Sequence, residues 1–226
     1  GLLSATRKIE ARLAEDGGGR WLAFVPSLID EELRRHTKAK RPVSELVEIV
    51  SDVVHPGDDV AGAREFVGLQ HVEGHSGRCI GSDPIGDETG RKFRFKPDDI
   101  LYGYLRPYLN KVWRADRDGL CSVDQYVLRP RAGIDGTLLG FALRSRAVLN
   151  EAIAMTHNLQ LPRLRSGLLS SIQVQWPEDR DVPFVRSRLE SLAGSMLAAV
   201  DARRRQVATA RALTPSILNR AFAGLL

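Results

Sequence analysis

Three textures of apolar and polar positions follow one another along the chain. Over residues 1–16, Leu3, Ile9 and Leu13 recur at helical spacing. Gly17-Gly18-Gly19 ends that predicted helix, because glycine is a poor helix interior and a good terminator. A second amphipathic stretch, residues 21–40, stops at Arg41-Pro42, since proline disfavours helical geometry in the residue before it. From Pro42 onward, short apolar runs alternate with Gly/Asp/Pro turns. Residues 65–69, 99–103, 120–123 and 125–128 are predicted strands, and residues 171–176 alternate apolar and polar with period two. Residues 137–144 and 147–156 read as helices. The middle of the chain is therefore α+β, a mixed domain built on an irregular β-sheet.

After Pro183 the pattern changes again. Val185, Leu189, Leu192, Met196 and Ala199 follow a 4-3-4-3 spacing, the heptad seam of a coiled coil. Val200 and Val207 extend the stripe with a shifted phase. The predicted helix runs roughly 28 residues, about 42 Å, and Pro215 then restarts a short helix over 216–222. A lone solvated helix of this composition is marginal, so the stripe predicts a partner in another segment or another chain. These textures divide the chain into an N-terminal helical extension (1–41), a mixed domain (42–182) and a long C-terminal coiled-coil-type helix (183–226).

Composition sharpens the picture where charge is concerned. The 226 residues carry 33 Lys+Arg against 28 Asp+Glu, a net +5. By segment the net charge is +3 over residues 1–41, −3 over 42–182 and +5 over 183–226. The mixed domain is itself polarised, with 2 basic against 10 acidic residues over 45–90 and 8 against 3 over 91–117. A polyanion would be met by the second stretch and repelled by the first. Arginine supplies 27 of the 33 basic residues, and its fork binds phosphate and guanine edges bidentately. Two cysteines, Cys79 and Cys121, are too few for a disulfide framework and fit a reducing cytoplasm. No apolar run approaches the roughly 18–20 residues that span a bilayer.

Catalytic signatures are absent. Gly86 to Lys92 faintly resembles a phosphate loop, but its spacing is wrong and Phe93 follows the lysine, so it reads as a charged turn. His71, His75 and Cys79 recur every four residues yet straddle glycines in a strand-and-turn context, and no metal site is assigned. Asp58-Asp59 and Asp98-Asp99 read as turn residues. A nuclease or methyltransferase acting by itself fits poorly, and no catalytic residue or resident cofactor is assigned.

The densest stretch is residues 92–113. Lys92-Phe93-Arg94-Phe95-Lys96 alternates basic and aromatic residues, and Tyr102, Tyr104, Arg106, Tyr108, Asn110 and Lys111 follow within ten positions. Arginine and lysine hold phosphates, while Arg, Asn and Tyr also reach groove edges. Five blocks in order then carry a resemblance: PVSELVEIV at 42–50, FVGLQHVEG at 66–74, DILYGYLRPYLNK at 99–111, GLCSVD at 119–124 and LNRAFAG at 218–224. Together they resemble the specificity subunit of type I restriction-modification systems, and Leu161-Pro162-Arg163-Leu164 fits that family's loop before its last strands.

The resemblance implies a DNA target recognition domain over 42–182, followed by a spacer and dimerisation helix. It implies reading of double-stranded DNA in the major groove, in complex with an adenine-methyltransferase subunit that carries S-adenosylmethionine and flips the target base. A translocating restriction subunit joins such complexes in phage defence. On this reading Arg106, Asn110 and Lys111, with Tyr102 and Tyr104, are DNA-facing or loop-organising. Lys92, Arg94 and Lys96 are phosphate contacts, with Gln70, Gln125 and Arg163 as further contacts. Val185, Leu189, Leu192, Met196, Val200 and Val207 form the helix seam. Family members carry two recognition domains and two helices, whereas this chain shows one of each. Three readings stay open: a homodimerising half-subunit, half of a longer chain, or a single-domain relative serving another system. A different class of function, a protein-interaction scaffold of a related phage-defence complex that no longer reads DNA, is the alternative.

Overall fold

The computed structural model describes residues 19–60, 63, 65–86, 90–157 and 160–222. The helix predicted over 1–16 and its glycine stop lie largely outside these residues.

Pro26 decides where the first packed helix begins. Residues 21–40 predict one helix, but the chain forms a single turn, α1 (Gly19–Leu22), and then α2 (Val25–His36). Proline lacks the N–H a helix interior needs and is tolerated in a first turn, so α2 starts one residue ahead of it. Thr37 is extended and ends the helix, and Lys40–Pro42 becomes strand β1. Val25, Ile29 and Leu33, on one face of α2, are buried.

A one-turn helix α3 (Val43–Leu46) leads into the strands: β2 (Val47–Val50), β3 (Val53–Val54), β4 (Glu65–Val67), β5 (Asp83–Pro84), β6 (Lys92–Phe95), β7 (Ile100–Gly103), β8 (Val112–Arg114), β9 (Gly119–Ser122) and β10 (Gln125–Pro130). Helices α4 (Gly136–Arg144), α5 (Arg146–Thr156) and α6 (Ser166–Ser171), strand β11 (Gln173–Gln175) and the long α7 (Val182–Phe222) complete the order. The period-two stretch 171–176 is thus a strand only at its centre, because Ser171 closes α6.

One sheet runs β2-β10-β7-β8, a second β3-β6-β9-β4-β5, and β1 pairs with β11. All pairings are antiparallel except β4 with β9. The first sheet is covered on both sides. Ile100, Tyr102, Val112 and Leu128 enter a core shared with α2, α4, α5 and α7. Leu101, Trp113 and Val127 join Val67, Phe95 and Cys121 between the sheets. That double burial explains why β7 is continuously apolar rather than alternating.

Helix α7 spans 41 residues, about 62 Å at 1.5 Å per residue. Two helices separated at Pro215 were expected. Pro215 instead lies inside one helix, forgoing one backbone hydrogen bond without ending it. Val185, Leu189 and Ala193, at steps of four, bury against α1, α2 and α4, so the first half of the seam is covered by the chain's own body. Val200 and Val207 are buried further along, Leu192 and Met196 are half-buried, and residues 208–213 are exposed.

Ion pairs fasten α7 along its length. Arg186 Nη1 donates to Asp135 Oδ2 at 2.9 Å, and the same Asp135 caps α4 by accepting from the Leu138 N–H at 2.8 Å. Arg78 spans both oxygens of Asp201 at 2.9 Å, and Arg204 meets Glu73 at 2.7 Å. Arg188 Nε donates to Glu32 Oε1 at 3.0 Å, and His36 Nε2 lies 3.2 Å from the same oxygen.

Burial alone would raise the Glu32 carboxyl, but hydrogen bonds from Arg188 and His36 outweigh it and hold the group below its ordinary value of 4.5. A carboxyl depressed in the folded state stabilises the fold above its unfolded pKa, and that contribution is lost as pH falls through the folded value. Glu32→Gln is therefore expected to be less stable than the native chain at pH 7, by about 1–2 kcal/mol, and to lose less on acidification to about pH 3.5. Urea midpoints at both pH values measure this, and an equal acid-induced drop in the two proteins contradicts it.

Candidate nucleic-acid interface

Three backbone rungs clamp the segment that follows β7. The Tyr104 N–H donates to the Asp124 carbonyl at 3.1 Å, the Arg106 N–H to Pro162 at 2.8 Å, and the Leu164 N–H to the Tyr104 carbonyl at 3.0 Å. Leu105 and Arg163 face each other in an antiparallel bridge. Residues 104–106 are thereby held between the β9–β10 turn and residues 162–164. Arg106 and Asn110 both take left-handed backbone, φ 53° and 47°, and bracket a 3-10 turn at Pro107–Leu109. Pro107 steers Arg106 away from right-handed helix. Asparagine tolerates the left-handed region more readily than arginine does. Strain of this kind persists where surrounding structure enforces it, and it clusters at ligand-contacting sites.

Side chains then divide into organisers and exposed groups. Tyr104 is half-buried and stacks on Tyr126, ring centroids 4.5 Å apart, and the Tyr126 hydroxyl donates to the Leu164 carbonyl at 3.0 Å. Burial raises the pKa of both phenols, with the Asp124 carboxylate adding to the effect at Tyr104. Asn110 is buried, and its Nδ2 donates to the Arg144 carbonyl at 3.0 Å. Lys111 Nζ donates to the Leu69 carbonyl at 2.6 Å, and burial lowers its pKa. That bond ties the loop to the turn carrying exposed Gln70. Arg106 and Arg163 are exposed. Arg106 has no ion pair among the described residues, and Arg163 approaches Asp124 at 3.9 Å.

Not every residue singled out in the sequence lies on this loop surface. Tyr102 faces the first core, where burial pushes its phenol far up. Gln125 is fully enclosed, with neither amide atom partnered. On β6, Lys92 and Arg94 share one strand face, because successive side chains alternate. Lys92 sits 5.0 Å over the Phe66 ring, whose edge contact with His71 places it at the margin of the Gln70 turn. Arg94 lies 3.8 Å from Asp52 and donates to the Asp59 carbonyl at 3.2 Å. Lys96 is exposed at the other end of the strand, beside Asp98-Asp99. The structure thus gathers Gln70, Tyr104, Arg106, Asn110, Lys111 and Arg163, and leaves Tyr102, Gln125 and Lys96 elsewhere.

It also adds residues the sequence reading passed over. Arg165, exposed and without an ion pair among the described residues, follows the Leu161–Leu164 block directly. Tyr126 was visible only as a strand residue, and its role depends on a stacking partner 22 positions away. His71 accepts from the Gly68 N–H at 3.0 Å and Cys79 donates to the Gly81 carbonyl. Among the described residues no group of three or more His, Cys, Asp or Glu is placed to hold a metal ion, and no helix is long and apolar enough to cross a membrane.

Comparison with known proteins gives the family context. No protein-family model matches the sequence. The specificity subunit of the type I restriction enzyme EcoDI from Escherichia coli is 32% identical over 162 residues, which is 69% of this chain and 35% of that protein. A chain in a structure describing complex assembly and conformational transition of the type I R-M system superposes with a TM-score of 0.63 at 16% identity, covering 83% of this chain and 49% of its own. The HsdS subunit from Thermoanaerobacter tengcongensis gives 0.51 at 15% identity, covering 100% and 56%. The chain therefore spans about a third of the curated relative and about half of each structure. With irregular sheets, a long C-terminal helix and this identity, the chain is homologous to the specificity subunits of type I restriction-modification systems.

Proposed function

We propose that this chain is a non-catalytic DNA-specificity module of a type I-like restriction-modification system. The module reads one half-site in the major groove and positions a partner adenine methyltransferase, which brings S-adenosylmethionine. The observation that carries the reading is the clamped loop cluster. Exposed Arg106, Arg163 and Gln70 stand on a scaffold made rigid by the Tyr104–Tyr126 stack, buried Asn110 and tethered Lys111. Rigid support of exposed donors is what base reading needs, because phosphate contacts set register while fixed side chains discriminate edges.

Helix α7 supplies spacing. Its length of about 62 Å exceeds one DNA turn of roughly 34–36 Å. Two modules joined through their helices would read separate half-sites across a non-specific gap, and a homodimer would read a palindrome. Because Val185 and Leu189 are covered within the chain, such pairing would use the exposed residues 208–213.

Removing Arg106 and Arg163 together, as alanines, is expected to weaken duplex binding by the methyltransferase complex. Two cations leave the DNA surface together with the two base-reading forks, which would reduce the slope of log K against log salt by up to about 1.8. Fluorescence anisotropy over a salt series measures both quantities. Unchanged affinity and slope would remove the loop cluster from the interface.

A further inference from the structure

A cavity of about 320 Å³ lies between the loop Ser76–Arg78, helix α4 and helix α7. Its wall includes Arg144, of which 7% is exposed. The Arg144 Nε donates to the Gly140 carbonyl and Nη1 to the Ser76 carbonyl, and its guanidinium lies 4.7 Å over the Phe141 ring. No carboxylate lies within ion-pair reach among the described residues, and Nη2 is left without an acceptor while the side chain lines the cavity. Burial of this unpaired cation pulls its pKa down to about 10. The other two cations on the wall are already matched, Arg78 by Asp201 and Arg114 by Asp98. Thr137 adds a hydroxyl, and Glu190 the only carboxylate among the lining residues.

Two helix-interior glycines also line this space, Gly140 in α4 and Gly194 in α7. Glycine weakens a helix interior relative to alanine, so its presence calls for a reason. Close approach is not the reason. A Cβ at Gly194 would meet nothing within 4 Å, and one at Gly140 would meet only the Arg114 Cβ at 4.0 Å. A larger side chain at either position would instead project into space that the cavity now leaves empty.

We propose that this cavity is a binding site for one small oxyanion, a phosphate or a carboxylate, held by Arg144. The site lies behind the loop cluster, whose Asn110 donates to the Arg144 carbonyl, and does not depend on that cluster reading DNA. The volume suits a small ion or metabolite and excludes a duplex. An occupant would touch both the body and α7, so binding would also fasten the helix to the domain.

The test uses the full chain, with inorganic phosphate and acetate as probes against chloride at equal ionic strength. Calorimetric titration is expected to show one saturable site for at least one of the two anions, with a matching rise in melting temperature. Gly194→Leu places a side chain in the cavity from α7, where a Cβ meets nothing within 4 Å. It is expected to keep or raise the melting temperature in chloride and to weaken anion binding at least about tenfold. Glu190→Gln removes the like charge at the wall and is expected to tighten binding, a change of sign that a purely structural arginine would not produce. No saturable binding of either anion, or equal binding by the native chain and Gly194→Leu, overturns the proposal.

Discussion

Replacing Leu189 by alanine is expected to destabilise the chain by about 3–5 kcal/mol. Leu189 is 1% exposed and lies in the core shared with Leu22, Ile29 and Leu33. Deleting most of its side chain removes the transfer energy of the buried atoms and leaves a cavity between rigid helices, which relax only partly. The effect also separates two roles for the α7 seam. If the seam closed only on a second copy, the loss would depend on protein concentration and the isolated monomer would be unaffected. Burial inside one chain predicts a loss of the same size at every concentration. Urea denaturation at two concentrations a hundredfold apart distinguishes them. A cost under about 1 kcal/mol, or one that vanishes on dilution, contradicts the intramolecular docking.

Arg129→Met is expected to cost about 2–4 kcal/mol. Arg129 donates to both oxygens of Asp99 at 2.8 Å, and Asp99, 2% exposed, also accepts from the Lys96 N–H at 2.9 Å. Removing the arginine strands a buried carboxylate at the start of β7, at the opposite end of the strand from the Arg106 loop. The expected cost stays below the top of the range for buried pairs because the Arg129 side chain is 39% exposed and partly solvated. Replacing both partners by apolar residues should recover part of the loss, since an apolar pair leaves no stranded charge. A double-mutant cycle by denaturation measures the coupling. Additive single and double effects would show that the pair is not coupled.

Asp99 also shows where local pattern stops being informative. Asp98-Asp99 read as turn residues, and Asp98 does take the left-handed backbone of a turn, φ 73°. The partner that makes Asp99 structural lies 30 positions away on β10, and no spacing rule links them. Gln125 illustrates the same limit in reverse. A polar residue opening a strand beside the Asp124 turn reads as exposed, yet tertiary packing encloses it completely.

Where physics is local, the chain is legible. The helices over 137–144 and 147–156 form within a residue of their predicted limits. Strands β7, β9 and β10 lie where apolar runs meet turn residues. Short strands such as Val53–Val54 and Val112–Arg114 carry too few residues to show a period, and pairing alone defines them. The α7 stripe announces burial but does not name what covers it. Helices α2 and α4 do so over its first half, a long-range choice invisible in heptad spacing. At the candidate interface, Arg106, Asn110 and Lys111 stand out as one dense block. Arg163, Arg165 and Tyr126 join them only through the bridge to residues 162–164 and the tyrosine stack.

The central claim is that the clamped loop cluster reads DNA sequence. Selection from a randomised duplex pool by the full chain, assembled with its adenine-methyltransferase partner, tests this most directly. Enrichment of one recurrent half-site motif is the predicted result. The Arg106→Ala/Arg163→Ala form, with its fold intact by circular dichroism, should flatten or change that motif. A pool that stays random with the native chain, or a motif unchanged by the double substitution, would contradict the account.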